Sequence, residues 1–176
     1  MTRVRLLRRQ RIYRGRIIPP PVFGPKDRYC AFGANTGGGI ITVIREVYEA
    51  HGRQLVRETI QHPGAVVVVP LIDRSHLVFV RQYRRAVGRE LLELPAGTLG
   101  RGESRLACAR RELEEETGWR ARRLTQISQF YTAPGVLSEQ MTVFMAEGLS
   151  PRLAHPEPDE FVTPVVLSLR TAITKI

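Results

Sequence analysis

Three glutamates in the second half of the chain have the type and spacing of a metal-binding set. Glu112, Glu115 and Glu116 stand at positions i, i+3 and i+4, which lie on one side of a helix with a 3.6-residue repeat. Carboxylates at this spacing repel one another, so a positive charge should lie among them. Mg²⁺ is the natural candidate because it prefers oxygen ligands. The alternative is a solvated acidic face balanced by arginine, since Arg111 precedes Glu115 by four residues.

The glutamates require a helix, and the surrounding residues predict one. Ser104 is of a type favoured at helix N-caps, and no glycine or proline follows it until Gly118. Leu106, Ala109 and Leu113 recur on another side of this helix. We expect that side to face a hydrophobic core.

Apolar and alternating runs on both sides of the helix predict β-strands. Residues 18–39 are rich in proline and glycine and are expected to form an irregular insert, and residues 148–159 a loop. One strong helix among many strands predicts an α+β fold with a mixed sheet. The expected strands are residues 5–16, 40–48, 54–61, 65–72, 76–83, 90–94, 124–131, 140–146 and 161–169, the last running into the start of a helix.

The composition is that of an ordinary globular protein. The 176 residues, 43% hydrophobic and 25% charged, suffice for one domain with a core and a small extra subdomain. No apolar run approaches the length of a membrane-spanning helix. The two cysteines, Cys30 and Cys108, predict no disulfide framework and fit a reducing cytoplasm. Cys108 should be a small buried residue of the helix.

The net charge of +10 comes almost wholly from arginine, with seven arginines in the first 16 residues. This cluster has three interpretations: a nucleic-acid-binding arm, a transit peptide, or the basic flank of a structural element. We favour the last, because the segment is poor in serine and its basic residues are not interleaved with aromatic ones. The overall charge would still attract an anionic phosphate substrate.

The stretch that carries the glutamates resembles the Nudix box, G-x5-E-x7-R-E-U-x-E-E-x-G-U, in which U is a bulky apolar residue. It opens with a glycine loop. Its fixed residue types arise together by chance at a rate on the order of 10⁻⁹ per starting position. The resemblance implies a Nudix hydrolase with an α/β/α sandwich, a mixed β-sheet and a small N-terminal β subdomain. The matching residues are Gly97, Glu103, Arg111, Glu112, Leu113, Glu115, Glu116, Gly118 and Trp119.

The sequence around the box is similar to the ADP-ribose pyrophosphatase branch of the Nudix hydrolases. In that branch a proline downstream of the box separates enzymes that favour ADP-ribose from other members, and Pro134 stands in such a position. The resemblance implies Mg²⁺-dependent hydrolysis of ADP-ribose to AMP and ribose 5-phosphate. The similar segments are residues 62–66 (HPGAV), 81–84 (RQYR), 93–97 (ELPAG) and 133–139 (APGVLSE).

The resemblance also implies roles for individual residues. Arg111 would orient the glutamates by ion pairing, and Glu139 would act as the base or bind metal through water. Glu115 would assist catalysis beside the metal. The metal would be Mg²⁺, with Mn²⁺ as the alternative. Its implied ligands are the backbone carbonyl of Ala96 and the side chains of Glu112, Glu115 and Glu116.

Substrate contacts are implied for Arg84, Arg57 and Glu58, the last two across a dimer. An ordinary surface arginine is the alternative interpretation of Arg84. Residues 1–61 would form a dimerisation and substrate subdomain, and residues 62–176 the hydrolase domain. The partners are thus a nucleoside diphosphate sugar and a second copy of the chain, without membrane or nucleic acid.

Two features depart from the family pattern. The insert at residues 18–39 interrupts the N-terminal strands that relatives use for dimerisation and for holding the adenine. Relatives generally continue past the position of Ile176 with a further helix, so we expect exposed apolar surface near residues 161–169.

Two alternative functions are consistent with the motif. The first is a Nudix hydrolase of another nucleoside diphosphate sugar or of a nucleoside triphosphate, because the box determines pyrophosphate chemistry and not the leaving group. The second is a non-catalytic Nudix nucleotide sensor. The presence of every box glutamate favours an enzyme.

Overall fold

The computed structural model describes residues 5–15, 41–51, 53–152 and 162–175. The insert expected at residues 18–39 lies outside the described residues, as do residues 153–159 of the loop expected at 148–159. The expectation of a loop is wrong for residues 148–151, which continue a strand because that strand extends to Pro151. In chain order the elements are β1 Arg5–Gly15, β2 Ile41–Ala50, β3 Arg53–Gln61, β4 Ala65–Pro70, β5 His76–Arg84, β6 Arg89–Glu93, β7 Ala96–Thr98, α1 Arg105–Thr117, β8 Trp119–Tyr131, β9 Gln140–Pro151, β10 Val162–Ser168 and α2 Leu169–Ile173.

Contacts within the chain divide it into two compact units. The first comprises residues 1–64 with 131–140, and the second residues 65–130 with 141–176. In the first unit β1, β2 and β3 form an antiparallel sheet in that order. Between β2 and β3, His51 takes a left-handed φ of 52°.

The loop after β8 is attached to the end of β3 within the first unit. The Ile60 N–H donates to the Val136 carbonyl (2.8 Å), and the Ser138 N–H donates to the Ile60 carbonyl (2.9 Å). The Val136 N–H in turn donates to the Ala133 carbonyl (3.0 Å), which closes a turn. These backbone bonds hold the segment immediately before Glu139.

The second unit contains a four-stranded mixed sheet with the order β7-β4-β9-β8. β4 runs parallel to β9 and antiparallel to β7. The predicted mixed sheet is confirmed. β7 was not predicted, because three residues with a central glycine show no alternation. The strand exists because Val66 and Val67 of β4 pair with Gly97 and Ala96.

The predicted helix is confirmed together with both of its ends. The Ser104 hydroxyl accepts from the Ala107 N–H (3.2 Å) as the N-cap. Gly118 ends the helix with φ 69°, and its N–H donates to the Glu114 carbonyl (3.0 Å). A left-handed residue at this position favours glycine.

One face of α1 packs against the four-stranded sheet. The predictions that Ala109, Leu113 and Cys108 are buried are confirmed. The prediction for Leu106 is wrong: this side chain is 45% exposed, because it lies in the first turn beside a surface pocket. The core cluster is formed by Val66, Val68, Cys108, Ala109, Leu113, Ala121, Phe144 and Ala146.

A second, antiparallel sheet has the order β10-β5-β6. Leu77 and Phe79 of β5 form a core cluster with Ala172 of α2. Strand alternation places Val78, Val80 and Gln82 on the opposite face of β5. Each helix thus packs against a sheet, and the predicted α+β fold is confirmed.

Candidate functional site

Two of the three glutamates that suggested a metal site are buried. Glu112 is 7% exposed and Glu116 is 3% exposed, and the Glu115 side chain is 33% exposed. Burying a carboxylate is costly unless charge or hydrogen bonds compensate it. The interpretation of a solvated acidic face is therefore wrong for Glu112 and Glu116.

Gly97 provides the space that Glu112 occupies. A Cβ atom on Gly97 would lie 1.7 Å from Oε1 and 1.9 Å from Cδ of Glu112. No side chain tolerates this approach, so β7 and α1 meet here only because residue 97 is glycine. The first glycine of the motif thus has a steric role beside a carboxylate.

Ala96 binds the second buried carboxylate. Its backbone N–H donates to Oε2 of Glu116 at 3.1 Å. The preceding residue is also held, because the Pro95 carbonyl accepts from the Val68 N–H at 2.8 Å. Ala96, Glu112 and Glu116 therefore lie together where β7 begins.

Arg111 supplies positive charge to the acidic cluster. Its Nη1 lies 2.7 Å from Oε1 of Glu112 and 2.9 Å from Oε2 of Glu115. Its Nε donates to Oε1 of Glu103 at 2.9 Å, and its Nη2 to Oε2 of Glu103 at 3.1 Å. One guanidinium thus contacts three carboxylates. This position agrees with the orienting role that the resemblance implies, which stays a prediction.

The ion pair changes the acidity of both partners. Hydrogen bonding to Arg111, together with the Gly100 N–H at 2.8 Å, lowers the pKa of Glu103 from 4.5 to about 2. The hydrogen bonds that Arg111 donates to Glu103 and the charge of Glu112 raise the pKa of Arg111. Glu103 and Arg111 are therefore both ionised at neutral pH.

Cys108 lies beside the acidic cluster without taking part in it. Its sulfur is 3.4 Å from Nη2 of Arg111. Burial, and then the negative charge of Glu103, raise the pKa of this thiol from 9.0 to about 12. The thiol stays protonated and is not a nucleophile.

The side chains around β7 fit a hard divalent cation by their chemistry. They offer carboxylate oxygens on a rigid helix beside a backbone segment that contains the predicted carbonyl ligand. The residues that the structure describes contain no group of three or more His, Cys, Asp or Glu positioned as a metal site. The charge of Arg111 lies among the carboxylates.

Glu139, the predicted base, belongs to the first unit. The Thr132 hydroxyl donates to its Oε2 at 2.7 Å, and Nδ1 of His62 lies 3.5 Å from its Oε1. The backbone of His62 donates to the Ser138 hydroxyl at 2.9 Å. Glu139 is thus held at the end of the loop that is attached to β3.

The predicted substrate-binding residues form ion pairs of their own. Arg84 pairs with Glu93 at 2.6 Å. Glu58 accepts from Nε of Arg45 at 2.8 Å, and the exposed Arg57 donates to the Val56 carbonyl at 2.9 Å. Arg57 and Glu58 belong to the first unit and Arg84 to the second.

Several residues around the site were not predicted as functional. Glu103 belongs to the motif, and its fixed spacing from Arg111 was the signal for an ion pair. Glu93 lies in the segment ELPAG, but nothing local indicates its pairing with Arg84. His62 and Thr132 approach Glu139 only through the fold.

Within the described ranges, no helix is both long and apolar enough to cross a membrane.

Comparisons with known proteins identify the same family that the box residues suggest. The sequence profile of the NUDIX domain matches residues 61–175. The chain is 39% identical over 140 residues to a protein of Bacillus subtilis (strain 168) named ADP-ribose pyrophosphatase, an alignment that covers 78% of this chain and 76% of that one. It is 36% identical over 135 residues to a Bacillus methanolicus protein named methanol dehydrogenase activator, covering 76% and 73% of the two chains.

A solved structure shares the fold. The crystal structure of an ADP compounds hydrolase superimposes with a TM-score of 0.73 and covers 97% of this chain and 80% of its own, at 24% sequence identity. At that identity the likeness shows the fold alone. The profile match and the two relatives are sufficient for the family. With its buried glutamates, its arginine and its glycine gap in the places that the box requires, the chain belongs to the NUDIX family.

Proposed function

We propose that this protein hydrolyses the pyrophosphate bond of ADP-ribose and releases AMP and ribose 5-phosphate. The observation that carries the proposal is the burial of Glu112 and Glu116 beside Ala96 and Gly97. Carboxylates held in place beside a backbone segment are suited to hold cations against a phosphate group. The name of the Bacillus subtilis relative supports ADP-ribose as the substrate.

We assign the cofactor as Mg²⁺, with Mn²⁺ as the alternative. The ligands would be the Ala96 carbonyl and the carboxylates of Glu112, Glu115 and Glu116. When bound, divalent cations neutralise phosphate charge and lower the pKa of an attacking water. Glu116 is kept in place by the Ala96 N–H, and Glu112 by Arg111 and the gap at Gly97.

The protein's own groups would carry the remaining tasks. Glu139 would take the proton from the attacking water, and its contacts with Thr132 and His62 would hold it in place. Arg111 would orient Glu112 and Glu115 through its ion pairs with them. Glu115, the most exposed of the four box glutamates, would assist catalysis as well as bind metal.

The remaining assignments concern substrate and assembly. Arg84 would contact the diphosphate, and Arg57 with Glu58 would contact the nucleotide across a homodimer. Residues 1–61 would then be the dimerisation and substrate domain, and residues 62–176 the catalytic domain. We place the protein in the cytoplasm because its sequence predicts no disulfide framework.

The first experiment is a hydrolysis assay with purified protein, Mg²⁺ and ADP-ribose. We expect AMP release by the wild-type protein and a loss of at least a hundredfold in kcat for Glu116→Gln, because a neutral amide binds cations far more weakly than a carboxylate. Glu147→Gln is the matched control, since it neutralises a half-exposed carboxylate of β9 and should leave kcat unchanged. Absence of AMP from the wild-type protein would refute the proposed substrate.

A second candidate is hydrolysis of a different nucleoside diphosphate sugar. It is favoured by 30% identity over 116 residues to a Cronobacter sakazakii protein named GDP-mannose pyrophosphatase. The same assay with a panel of ADP-, GDP- and UDP-sugars separates the two candidates. The preferred substrate is the one with the highest kcat/KM.

A further inference from the structure

The end of the β5–β6 hairpin concentrates positive charge. Arg85 and Arg89 are exposed there, and Arg84 stands directly opposite Arg89 in the antiparallel register. Like charges facing each other across two strands repel. Without a counter-charge, the Arg84 side chain would turn away from Arg89 toward solvent.

Glu93 provides that counter-charge from the same hairpin. Nε of Arg84 donates to Oε1 and Oε2 of Glu93 at 3.1 and 2.9 Å, and Nη2 donates to Oε2 at 2.6 Å. The carboxylate therefore engages the Nε–Nη2 edge of the guanidinium. This two-point geometry restricts rotation of the planar group, which a single contact would not do.

The pair reaches along the strands. Glu93 stands opposite Val80, four residues from Arg84 on β5, a distance of about 13 Å along an extended strand. Both side chains must therefore lean toward each other, past the position at which Gln82 faces Leu91. The Arg84 side chain nevertheless remains 42% exposed, against 25% for Glu93. The ion pair thus defines the position of the Arg84 side chain, while part of the surface of that side chain stays accessible to a ligand.

We propose that Glu93 is a positioning residue, which holds the Arg84 guanidinium on the hairpin in the orientation that receives the diphosphate of the substrate. The inference rests on the proposed function insofar as Arg84 contacts that diphosphate. An arginine loses considerable rotamer freedom when it binds a ligand, and a carboxylate that has already ordered it removes much of this cost. Glu93 then contributes to substrate affinity without touching the substrate.

A purely structural ion pair makes a different prediction. A partly exposed pair contributes little to stability, and its loss would leave substrate affinity unchanged. If Glu93 has a positioning role, its substitution raises KM only when Arg84 is present. A double-mutant cycle measures this coupling directly.

The cycle consists of wild type, Glu93→Gln, Arg84→Met and the double variant. It is measured with whichever nucleoside diphosphate sugar the wild-type protein hydrolyses best. We expect Glu93→Gln to raise KM about tenfold, the scale of ordering one arginine side chain, and to change kcat less than about twofold. In the Arg84→Met background the same substitution should change KM less than about twofold. Glu147→Gln is the charge-matched control, and thermal unfolding of all variants monitors folding.

The outcomes separate the two proposals. If the wild-type protein hydrolyses another sugar nucleotide but not ADP-ribose, the proposed substrate is refuted. The double-mutant cycle is then measured with the sugar nucleotide that is hydrolysed. An unchanged KM in Glu93→Gln, or an equal increase in both backgrounds, refutes the positioning role. Failure of the wild-type protein on every sugar nucleotide refutes both.

Discussion

At the scale of single residues, the site depends on close contacts around one arginine and one glycine. Arg111 contacts Glu103, Glu112 and Glu115, and Gly97 leaves the space for Glu112. These contacts explain why motif positions that bear no reactive group are still required. Gly97 leaves space for the Glu112 carboxylate, and Glu103 neutralises part of the positive charge of Arg111.

Replacement of Gly97 by alanine should disable the site. The new Cβ would overlap the Glu112 carboxylate, so we expect a stability loss of about 1–3 kcal/mol and a fall in kcat of roughly a hundredfold. Thermal unfolding and AMP release measure the two effects. For stability, Gly135→Ala is the control, because nothing lies within 4 Å of its added Cβ. Equal unfolding temperatures for the two variants would contradict the steric argument.

Replacement of Glu103 by glutamine should reduce stability in a pH-dependent way. The pKa of Glu103 is lowered from 4.5 to about 2 in the folded protein, so its charge stabilises the fold above pH 4.5. That contribution is lost as the pH falls toward 2. We expect Glu103→Gln to cost about 1–2 kcal/mol at neutral pH after solvent screening.

Urea unfolding of wild type and Glu103→Gln, from about pH 7 to about pH 3, tests this pH dependence. The difference in the free energy of unfolding should shrink as the pH decreases. A difference that is constant over this range would show that the Glu103 charge does not contribute through Arg111.

At the scale of elements, the strands around α1 hold the residues of the candidate site in place. β7 contains only three residues, yet it carries Ala96 and Gly97 and is held by β4. β5 carries Arg84 and, two residues earlier, the buried Gln82. Gln82 is 8% exposed, and its Oε1 accepts no hydrogen bond from the residues that the structure describes.

Replacement of Gln82 by methionine should stabilise the protein. A buried acceptor without a donor costs free energy, and an apolar side chain of similar length removes that cost. We expect a gain of about 1 kcal/mol in the free energy of unfolding, measured by chemical denaturation. Gln129→Met is the matched control, because Gln129 donates to the Thr142 hydroxyl at 3.3 Å and loses that bond. A destabilised Gln82→Met variant would mean that the amide has a partner in solution.

At the scale of the whole molecule, the chain combines two compact units with a strong positive charge. The net charge of +10 favours encounter with a diphosphate substrate and predicts association that weakens as salt increases. The NUDIX profile covers residues 61–175, which include every box residue and the loop that carries Glu139. The N-terminal sheet of β1, β2 and β3 lies almost wholly outside that match.

The helix with its caps and most of the strands could be predicted from the sequence, because they depend on local periodicity and on residues such as Ser104 and Gly118. β7 could not, because so short a strand forms only by pairing with β4. The exposure of Leu106 was also missed. Helical spacing identifies a face, but it does not show how far the packed sheet extends beneath the first turn.

The sequence by itself determined the family and the chemical type of the site, because the box places its glutamates, arginine and glycines at fixed spacings along one helix. Tertiary structure decided which carboxylates are buried, that Glu112 occupies the space beside Gly97, and that Glu93 holds Arg84. The physical reason is the sequence separation over which each kind of interaction acts. Helical spacing acts over a few residues, whereas burial and ion pairing depend on segments that only the folded sheets and helix bring together.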